Sequence, residues 1–455
     1  MPILTMKFGG TSVADAAAID RLIAIVGRAQ ASGNQPLVVV SAMSGVTDAL
    51  LALARDAAAH VATAERLSAL RVRHVDAARA LMGGAADPVI SEINGQIDEL
   101  ELALATITVA GSAAPASQDA VAAAGELLTS RIVSAALASR GIAARWVDAR
   151  DVVKTDVTYG SAVPDPAAID VATRLIVAPV LAAGEVPVLG GFVGAAPDGS
   201  TTTLGRGGSE YSASLVGAAV HSAEIQIWTD VDGMLSADPR IVETPRLVSR
   251  LSFAEASELA YFGATVLHPS TILPAIGRNI PVRILNSRRP EVPGTLITGE
   301  PEHSGRAVTA LACKRGITVV DITSTRMLMA YGFLRRVFET FERHRTPVDV
   351  VCTSEVSVSV TIDDSSRIDA IAADLRAFAD VSVECEMSIL CAVGEGLRDR
   401  PEAMSELMGK LARFPLRMVS QAASRRNLTV VMSDAAAIEA MRYLHAEMST
   451  LARAS

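Results

Sequence analysis

Lysine is scarce in this chain. Of 41 basic residues only Lys7, Lys154, Lys314 and Lys410 are lysine, so arginine carries the surface charge and the compact ammonium at Lys7 stands out as a candidate point charge. A basic excess is also missing. The formal net charge of −9 argues against a nucleic-acid partner, and an acidic substrate would have to be met by locally placed cations. Aromatic residues make up 4% of a chain that is 50% hydrophobic, which leaves alanine and the aliphatics to fill the core. The four cysteines (Cys313, Cys352, Cys385 and Cys391) form no C-x-x-C pair, and a chain of 455 residues needs no disulfide framework. The seven histidines lack H-E-x-x-H spacing, so no protein metal site is expected. Long uninterrupted apolar runs are absent too. The first is broken by Lys7 and Gly9-Gly10, unlike a secretory leader. The most apolar stretch, LIVAPVLAAGEVPVLGGFVGA, holds Pro179, Glu185 and Pro187 and reads as helix, turn and strand rather than a membrane span. The expectation is a cytoplasmic protein of two or three domains, with no membrane or nucleic-acid partner.

What is present alternates. Up to about residue 297, strand-like runs (LVVVSAM, ARWVDA, VPVLGGFVG, AEIQIWTD, PVRILN) are separated by amphipathic or alanine-rich helical stretches. This predicts an α/β domain over 1–297 with a mostly parallel sheet, whose ligands bind outside the carboxyl ends of the strands. A helical insertion around residues 50–110 is expected to lie apart from the sheet. RRPEVPGTLITGEPEHSGR, rich in proline and glycine, places a linker at 298–310. Beyond it the pattern repeats. GFLRRVFETFERHR puts Phe333, Val337, Phe338 and Phe341 on one helical face, followed by the alternating run SEVSVSVTID. AMSELMGKLARF and NLTVVMS form a weaker copy, and Pro347 and Pro415 precede the two strand pairs. Two α+β units are predicted, at 311–385 and 386–455, with a last strand or helix able to return to the first. Regulation or plain dimerisation would each suit them.

Chemistry concentrates at the predicted strand ends. KFGGTS places Lys7 against Gly9, Gly10 and Thr11, with Ser12 as a possible helix cap; backbone N–H groups there suit an anion. SAMSGVTD follows the second strand and contributes Ser41 and Thr47. TTTLGRGGSEYSAS has Arg206 between glycines and Ser209 at a helix start, and IWTDVDG contributes Thr229 and Asp230. A guanidinium on such a glycine loop suits a carboxylate. Singly, each motif is also an ordinary turn or cap. No G-x-G-x-x-G with a downstream acidic residue is present, which makes a dehydrogenase a poor reading.

In order, KFGGTSV, VVVSAMSGVTD, GELLTSR, GGFVGAAPDGSTTTLGRGGSEYSA, WTDVDGMLSADPR, SFAEASELAYFGATVLHP and TSEVSVSV resemble the aspartate kinases over essentially the whole chain. GFL with VDVVCTSEVS is most similar to the single-function, lysine-sensitive class. The resemblance implies an amino-acid-kinase fold followed by two ferredoxin-like ACT domains, assembly as a homodimer or a dimer of dimers, and conversion of L-aspartate and MgATP to 4-phospho-L-aspartate. It implies that Lys7, Gly9, Gly10 and Thr11 meet the ATP phosphates, and that Thr229, Asp230, Leu235, Arg240 and Thr265 line the nucleotide side, with Asp230 near Mg²⁺. Ser41, Thr47, Glu126, Arg206, Ser209 and Glu210 would hold aspartate, with Arg206 on its α-carboxylate and Glu126 on its ammonium. Lys7, Arg206 and Asp230 would be catalytic. An effector, lysine or threonine, would meet Met327, Gly332, Phe333, Leu334, Val348, Asp349, Ser354 and Glu355. Rival readings are a kinase of this fold acting on another amino acid and a degenerate kinase serving as an amino-acid-sensing partner.

Several positions depart from the family pattern. Glu210 stands where aspartate is usual, Leu235 where tyrosine is common and Thr265 where a lysine faces the nucleotide; Met329 and Ala330 replace polar residues before the effector-site glycine. Losing the cation at 265 predicts weak ATP binding. Thr265→Lys is expected to lower the KM for ATP in steady-state kinetics, and unchanged KM and turnover would show that the missing cation does not matter.

Overall fold

The computed structural model describes residues 1–263, 269–300, 307–324, 331–421 and 424–448. These fall into two compact units: Met1–Met234 with Val266–Gly299, and Leu235–Thr265 with Glu300–Ser455. In chain order the first unit opens with β1 (Ile3–Phe8), α1 (Ala16–Ala31), β2 (Gln35–Val40), α2 (Val46–Ala58), α3 (Ala64–Met82), α4 (Asp87–Ala110) and α5 (Pro115–Ser139). It continues through β3 (Ala144–Val147), α6 (Ala149–Val152), α7 (Pro166–Ala182), β4 (Val186–Gly190), β5 (Val193–Ala195), β6 (Thr201–Thr203), α8 (Gly208–Ala219) and β7 (Glu224–Thr229). The chain then adds β8 (Arg250–Ser252) and α9 (Phe253–Tyr261) to the second unit and returns to the first with α10 (Leu273–Gly277), β9 (Val282–Asn286) and β10 (Thr295–Thr298).

Within the first unit the strands run β3-β4-β2-β1-β7-β9-β10, all parallel to their neighbours except β10. β1 lies inside this sheet and is flanked on both sides, and Met6, Lys7 and Phe8 at its carboxyl end are all buried. The Phe8 and Trp228 rings stack across β1 and β7. One face carries Met6, Phe8, Val38 and Val40 under α1 and α5; Leu37, Val39 and Leu189 on the other face meet α7 and α8. The insertion of α2 to α4 stacks on α5 and α1 and adds residues such as Leu50, Ile93 and Leu104 to the first cluster, so it shares the core without covering the strands directly. α5 is long and apolar enough to cross a membrane, yet it is buried around nearly its whole circumference inside this unit. Asp15, rather than Ser12, caps α1, accepting from the Ala18 N–H at 2.8 Å.

The second unit continues with β11 (Ala310–Thr323), α11 (Phe333–Arg343), β12 (Val351–Thr353), β13 (Ser357–Ile362), α12 (Ile368–Arg376) and β14 (Asp380–Val393). It ends with α13 (Pro401–Leu411), β15 (Met418–Ser420), β16 (Asn427–Ser433) and α14 (Asp434–Glu447). Its strands form one antiparallel sheet, β12-β13-β11-β14-β16-β15. α11 and α12 pack over Val320, Ile322, Val358 and Val360, while α13 and α14 pack over Leu311, Leu390, Val430 and Met432.

The repeat is real, but its borders differ from those expected. Residue 385 falls inside β14, and the first half of β11, placed in the first repeat by sequence, pairs with Ser388–Val393 beside the second repeat's helices. The reason is that Gly316 and Glu386, at φ +71° and +58°, shift register without ending either strand. Residues 235–265 group with this unit rather than with the 1–297 domain, and the expected linker at 298–310 lies partly outside the described residues. On α11, Phe333, Val337 and Phe341 are buried as predicted, whereas Phe338 is exposed. Truncating Phe341 to alanine removes a fully enclosed ring and is expected to cost about 3–5 kcal/mol. Calorimetry on the whole chain should then show a lowered transition, and an unchanged profile would contradict this packing.

Candidate active site

Parallel register brings the carboxyl ends of β1, β2, β4 and β7 to one rim of the sheet. There a cavity of about 490 Å³ is lined by Lys7, Gly9, Gly10, Thr11, the 41–48 loop, Glu126, Phe192, Gly205, the start of α8, Thr229 and Asp230. Two helices open at it. α2 begins behind Gly45 and α8 behind Gly207, with φ +77° and +71°, a backbone shape that glycine adopts without strain. Their N-terminal dipoles favour an anion in the cavity, and the Gly10–Val13 3-10 turn adds further N–H groups.

The loops approach closely, leaving no room for a side chain at Gly191 and little at Gly10. A Cβ on Gly191 would stand 2.7 Å from Ser209 Cα, and one on Gly10 3.1 Å from the Ala42 carbonyl oxygen. Thr129 ties the 41–45 loop to α5, accepting from the Met43 N–H at 3.2 Å and donating to the Gly125 carbonyl at 2.9 Å. On the far side the Ser287 N–H donates to the Thr229 carbonyl at 2.8 Å, Asn286 Nδ2 donates to Asp232 Oδ1 at 2.7 Å, and the Ser12 and Ser287 hydroxyls bond at 2.7 Å. Buried Asp119 accepts from the Gly160 N–H and from the N–H and hydroxyl of Thr203, fixing β6 ahead of the glycine loop.

The charged groups are few, and Lys7 and Glu210 form an ion pair among them. Lys7 is 4% exposed and its ammonium is bonded to Glu210 in the first turn of α8. Glu126 is equally buried, and among the described residues its Oε2 has no hydrogen-bond partner. Burial pushes its carboxyl up to about 8, against the downward pull of backbone hydrogen bonds and of Lys7. A half-satisfied buried carboxyl beside a cavity is built to receive a donor. Ser41, Thr47 and Ser209 bring hydroxyl-bearing residues to the same lining, and the exposed Asp230 closes the β7 end. Among the described residues no group of three acidic, histidine or cysteine side chains could hold a metal by itself.

The structure therefore gathers Lys7, Gly9, Gly10, Thr11, Ser41, Thr47, Glu126, Ser209, Glu210, Thr229 and Asp230 in one lining. Others fall elsewhere. Arg206 is exposed and is not part of the lining, although its neighbours Gly205 and Gly207, both at positive φ, are. Leu235 and Arg240 belong to the second unit, where Leu235 bridges to Leu247 and Arg240 is held by a two-pronged pair with Asp238. Thr265 and Met327 lie outside the described residues. Of the other effector candidates, Gly332 caps α11 at φ +82° and Leu334 is exposed. Phe333 is a core residue packed near Val348, and Ser354 holds a tight turn with Ser357 ahead of β13, next to exposed Glu355. Asp349 bonds Lys314 and Tyr261. Sequence reading missed Gly45, Phe192, Asn286, Ser287 and Asp119. The first four follow or end strands already recognised, so position at a strand end was the available signal; nothing local marks Asp119.

Comparison with known proteins agrees with this geometry. Residues 2–286 match the amino acid kinase family, and residues 390–448 match an ACT domain. The chain is 36% identical to lysine-sensitive aspartokinase 3 of Escherichia coli (strain K12) over 98% of its own length and 99% of the relative's. It is also 36% identical to the chloroplastic aspartokinase 3 of Arabidopsis thaliana, over 97% of this chain and 80% of that one. Two E. coli aspartokinase III crystal structures, one with aspartate and ADP and one with lysine and aspartate, each superpose with TM-score 0.83 at 34% identity, covering 98% of this chain and 99% of theirs.

The raised Glu126 carboxyl makes a signed prediction. Between the ordinary value of 4.5 and about 8 the folded chain holds a proton that the unfolded chain gives up, so this group's contribution to stability falls as pH rises through that window. Glu126→Gln has no proton to lose. Its thermal midpoint is expected to match the parent near pH 5 and to exceed it at pH 8 by on the order of 5 °C, read by calorimetry of the free protein. A parallel pair of profiles would contradict the burial.

Proposed function

Because the chain belongs to the aspartokinases, within the amino acid kinase family, we propose that it transfers the γ-phosphoryl group of ATP to the side-chain carboxylate of L-aspartate, giving 4-phospho-L-aspartate and ADP. The observation that carries the reading is the shared cavity of Lys7, Glu126 and two helix N-termini at the strand ends. The attacking carboxylate is ionised at neutral pH and needs no general base, which fits a lining without histidine. What remains is alignment and charge. Lys7 and the N–H groups of the Gly9–Thr11 turn would hold the phosphates and offset charge that builds during transfer.

Aspartate would place its ammonium on Glu126, whose unpartnered oxygen accepts it, and its other polar groups on the lining near Ser41, Thr47 and Ser209. Arg206, on a loop hinged by two glycines, would fold onto the α-carboxylate, and Glu210 would keep Lys7 in place between turnovers. Mg²⁺ bound with the nucleotide supplies charge neutralisation on the phosphates. Such a metal keeps most of its water and asks little more of the protein than one carboxylate, which Asp230 offers. Thr229 would line the nucleotide side beside Asp230.

We assign catalysis to the unit formed by Met1–Met234 and Val266–Gly299, and regulation to the tandem ACT pair of the second unit. The enzyme would serve the first step of aspartate-family amino-acid synthesis, in the cytoplasm, as a homodimer or dimer of dimers. Free lysine or threonine would act as effector around Asp349 and Glu355, the ammonium meeting these carboxylates. The changed acid at 210 keeps a second amino-acid substrate as the alternative.

Purified protein with MgATP, L-aspartate and hydroxylamine is expected to yield aspartyl hydroxamate, with Lys7→Met lowering kcat by roughly 10²–10³-fold. Product formed only from a different amino acid would move the assignment to Glu210-directed specificity. No product from any amino acid, with folded protein, would favour a sensing partner and overturn the kinase reading.

A further inference from the structure

Lys314 stands on the first half of β11, and its ammonium is enclosed by acidic and aromatic groups of the second unit. Nζ donates to Asp349 Oδ2 at 3.0 Å, pairs with Asp363 Oδ2 at 2.5 Å and lies 5.2 Å from the centre of the Tyr261 ring. The Tyr261 hydroxyl donates to the other oxygen of Asp349 at 2.9 Å. The Asp349 side chain is only 7% exposed. Burial and the neighbouring Asp363 raise its carboxyl, and the Lys314 ammonium works against that rise. Two facing carboxylates with an aromatic face beside them form a receptor for one primary ammonium. Here the chain fills that receptor itself, with one of its four lysines.

We propose that Lys314 is a tethered occupant of the ammonium subsite around Asp349, and that it sets how strongly a free amino acid is sensed there. The inference rests on the effector reading of Asp349 given above. A free lysine must displace the Lys314 ammonium before its own can bind. The tethered group competes at the millimolar or higher effective concentration of a short linker, so the effector's apparent affinity falls by the fraction of molecules in which the subsite is vacated.

Displacement would also be felt at the end of α9. Tyr261 is its last residue and shares Asp349 with Lys314. Gly263, at φ +117°, packs so closely on the Cys313 carbonyl that a Cβ there would stand 2.7 Å from the oxygen. Any shift of β11 at Cys313–Lys314 therefore reaches the residues that close α9.

The test compares the full-length parent with Lys314→Met, Lys314→Gln and Asp349→Asn, and with Asp349→Asn added to each Lys314 variant. Lysine binding is read by equilibrium titration and lysine inhibition by hydroxamate assay. Both Lys314 variants are expected to lower the half-inhibitory lysine concentration about tenfold or more, with basal turnover close to the parent's. Asp349→Asn should remove the response in every background. If the Lys314 variants leave half-inhibition unchanged or raise it while Asp349→Asn abolishes the response, the effector site stands and the tethered occupant is overturned. If Asp349→Asn leaves lysine binding untouched, or if no form of the protein binds lysine or threonine, the effector-site reading fails and the occupant falls with it.

Discussion

Burying the ammonium of Lys7 at the end of an inner parallel strand sets the terms for the catalytic unit. A charge at that depth has to be met by an opposite one. Glu210 meets it from the first turn of α8, which fixes where that helix starts and hence where Gly205 to Ser209 run. The neighbouring Glu126 has no counterpart of its own and stays mostly protonated near neutrality. The cavity thus carries one satisfied cation and one carboxyl waiting for a cation. That asymmetry suits a ligand with a phosphate at one end and an ammonium at the other.

Close backbone approach is the second constraint. Gly191 and Gly208 stand where a side chain would strike Ser209 or Phe192, and Gly10 and Gly190 pack tightly on Ala42 and Glu126. They let three loops from different strands converge on a space about the size of a small substrate. The polar anchors behind them, Thr129, Asp119, Asn286 and Ser287, hold the loops from outside, so the lining is set before any ligand arrives.

Much of this was legible in the sequence. The runs at LVVVSAM, VPVLGGFVG, AEIQIWTD and PVRILN appear as β2, β4, β7 and β9, and KFGGTS, SAMSGVTD and IWTD meet at one rim because parallel strands share a direction. The rest depended on facts that no local pattern encodes. Ser12 had the right chemistry for a cap, but its hydroxyl is committed to Ser287, some 275 residues away in sequence, and Asp15 takes the cap. Arg206 had the right charge, but it is exposed and is not part of the lining. Alternation shows a strand and does not show that two repeats share it, so the start expected at 311 could not reveal that the first half of β11 pairs beside the second repeat's helices. Glu126 and Asp119 are acids inside a long alanine-rich helix, and only their depth in the fold separates them from surface residues.

The long pairing of β11 with β14 also governs the order in which the second unit is built. The stretch Ala310–Arg315 leaves the ribosome before every other strand of its sheet. Its partner Ser388–Val393 arrives more than seventy residues later, and the helix α14 that covers it comes at the very end of the sheet's sequence. Contacts that distant in sequence are slow to close. During synthesis the first repeat would have to hold an open strand edge until the second is complete, and neither half can be cut away to leave a whole sheet behind.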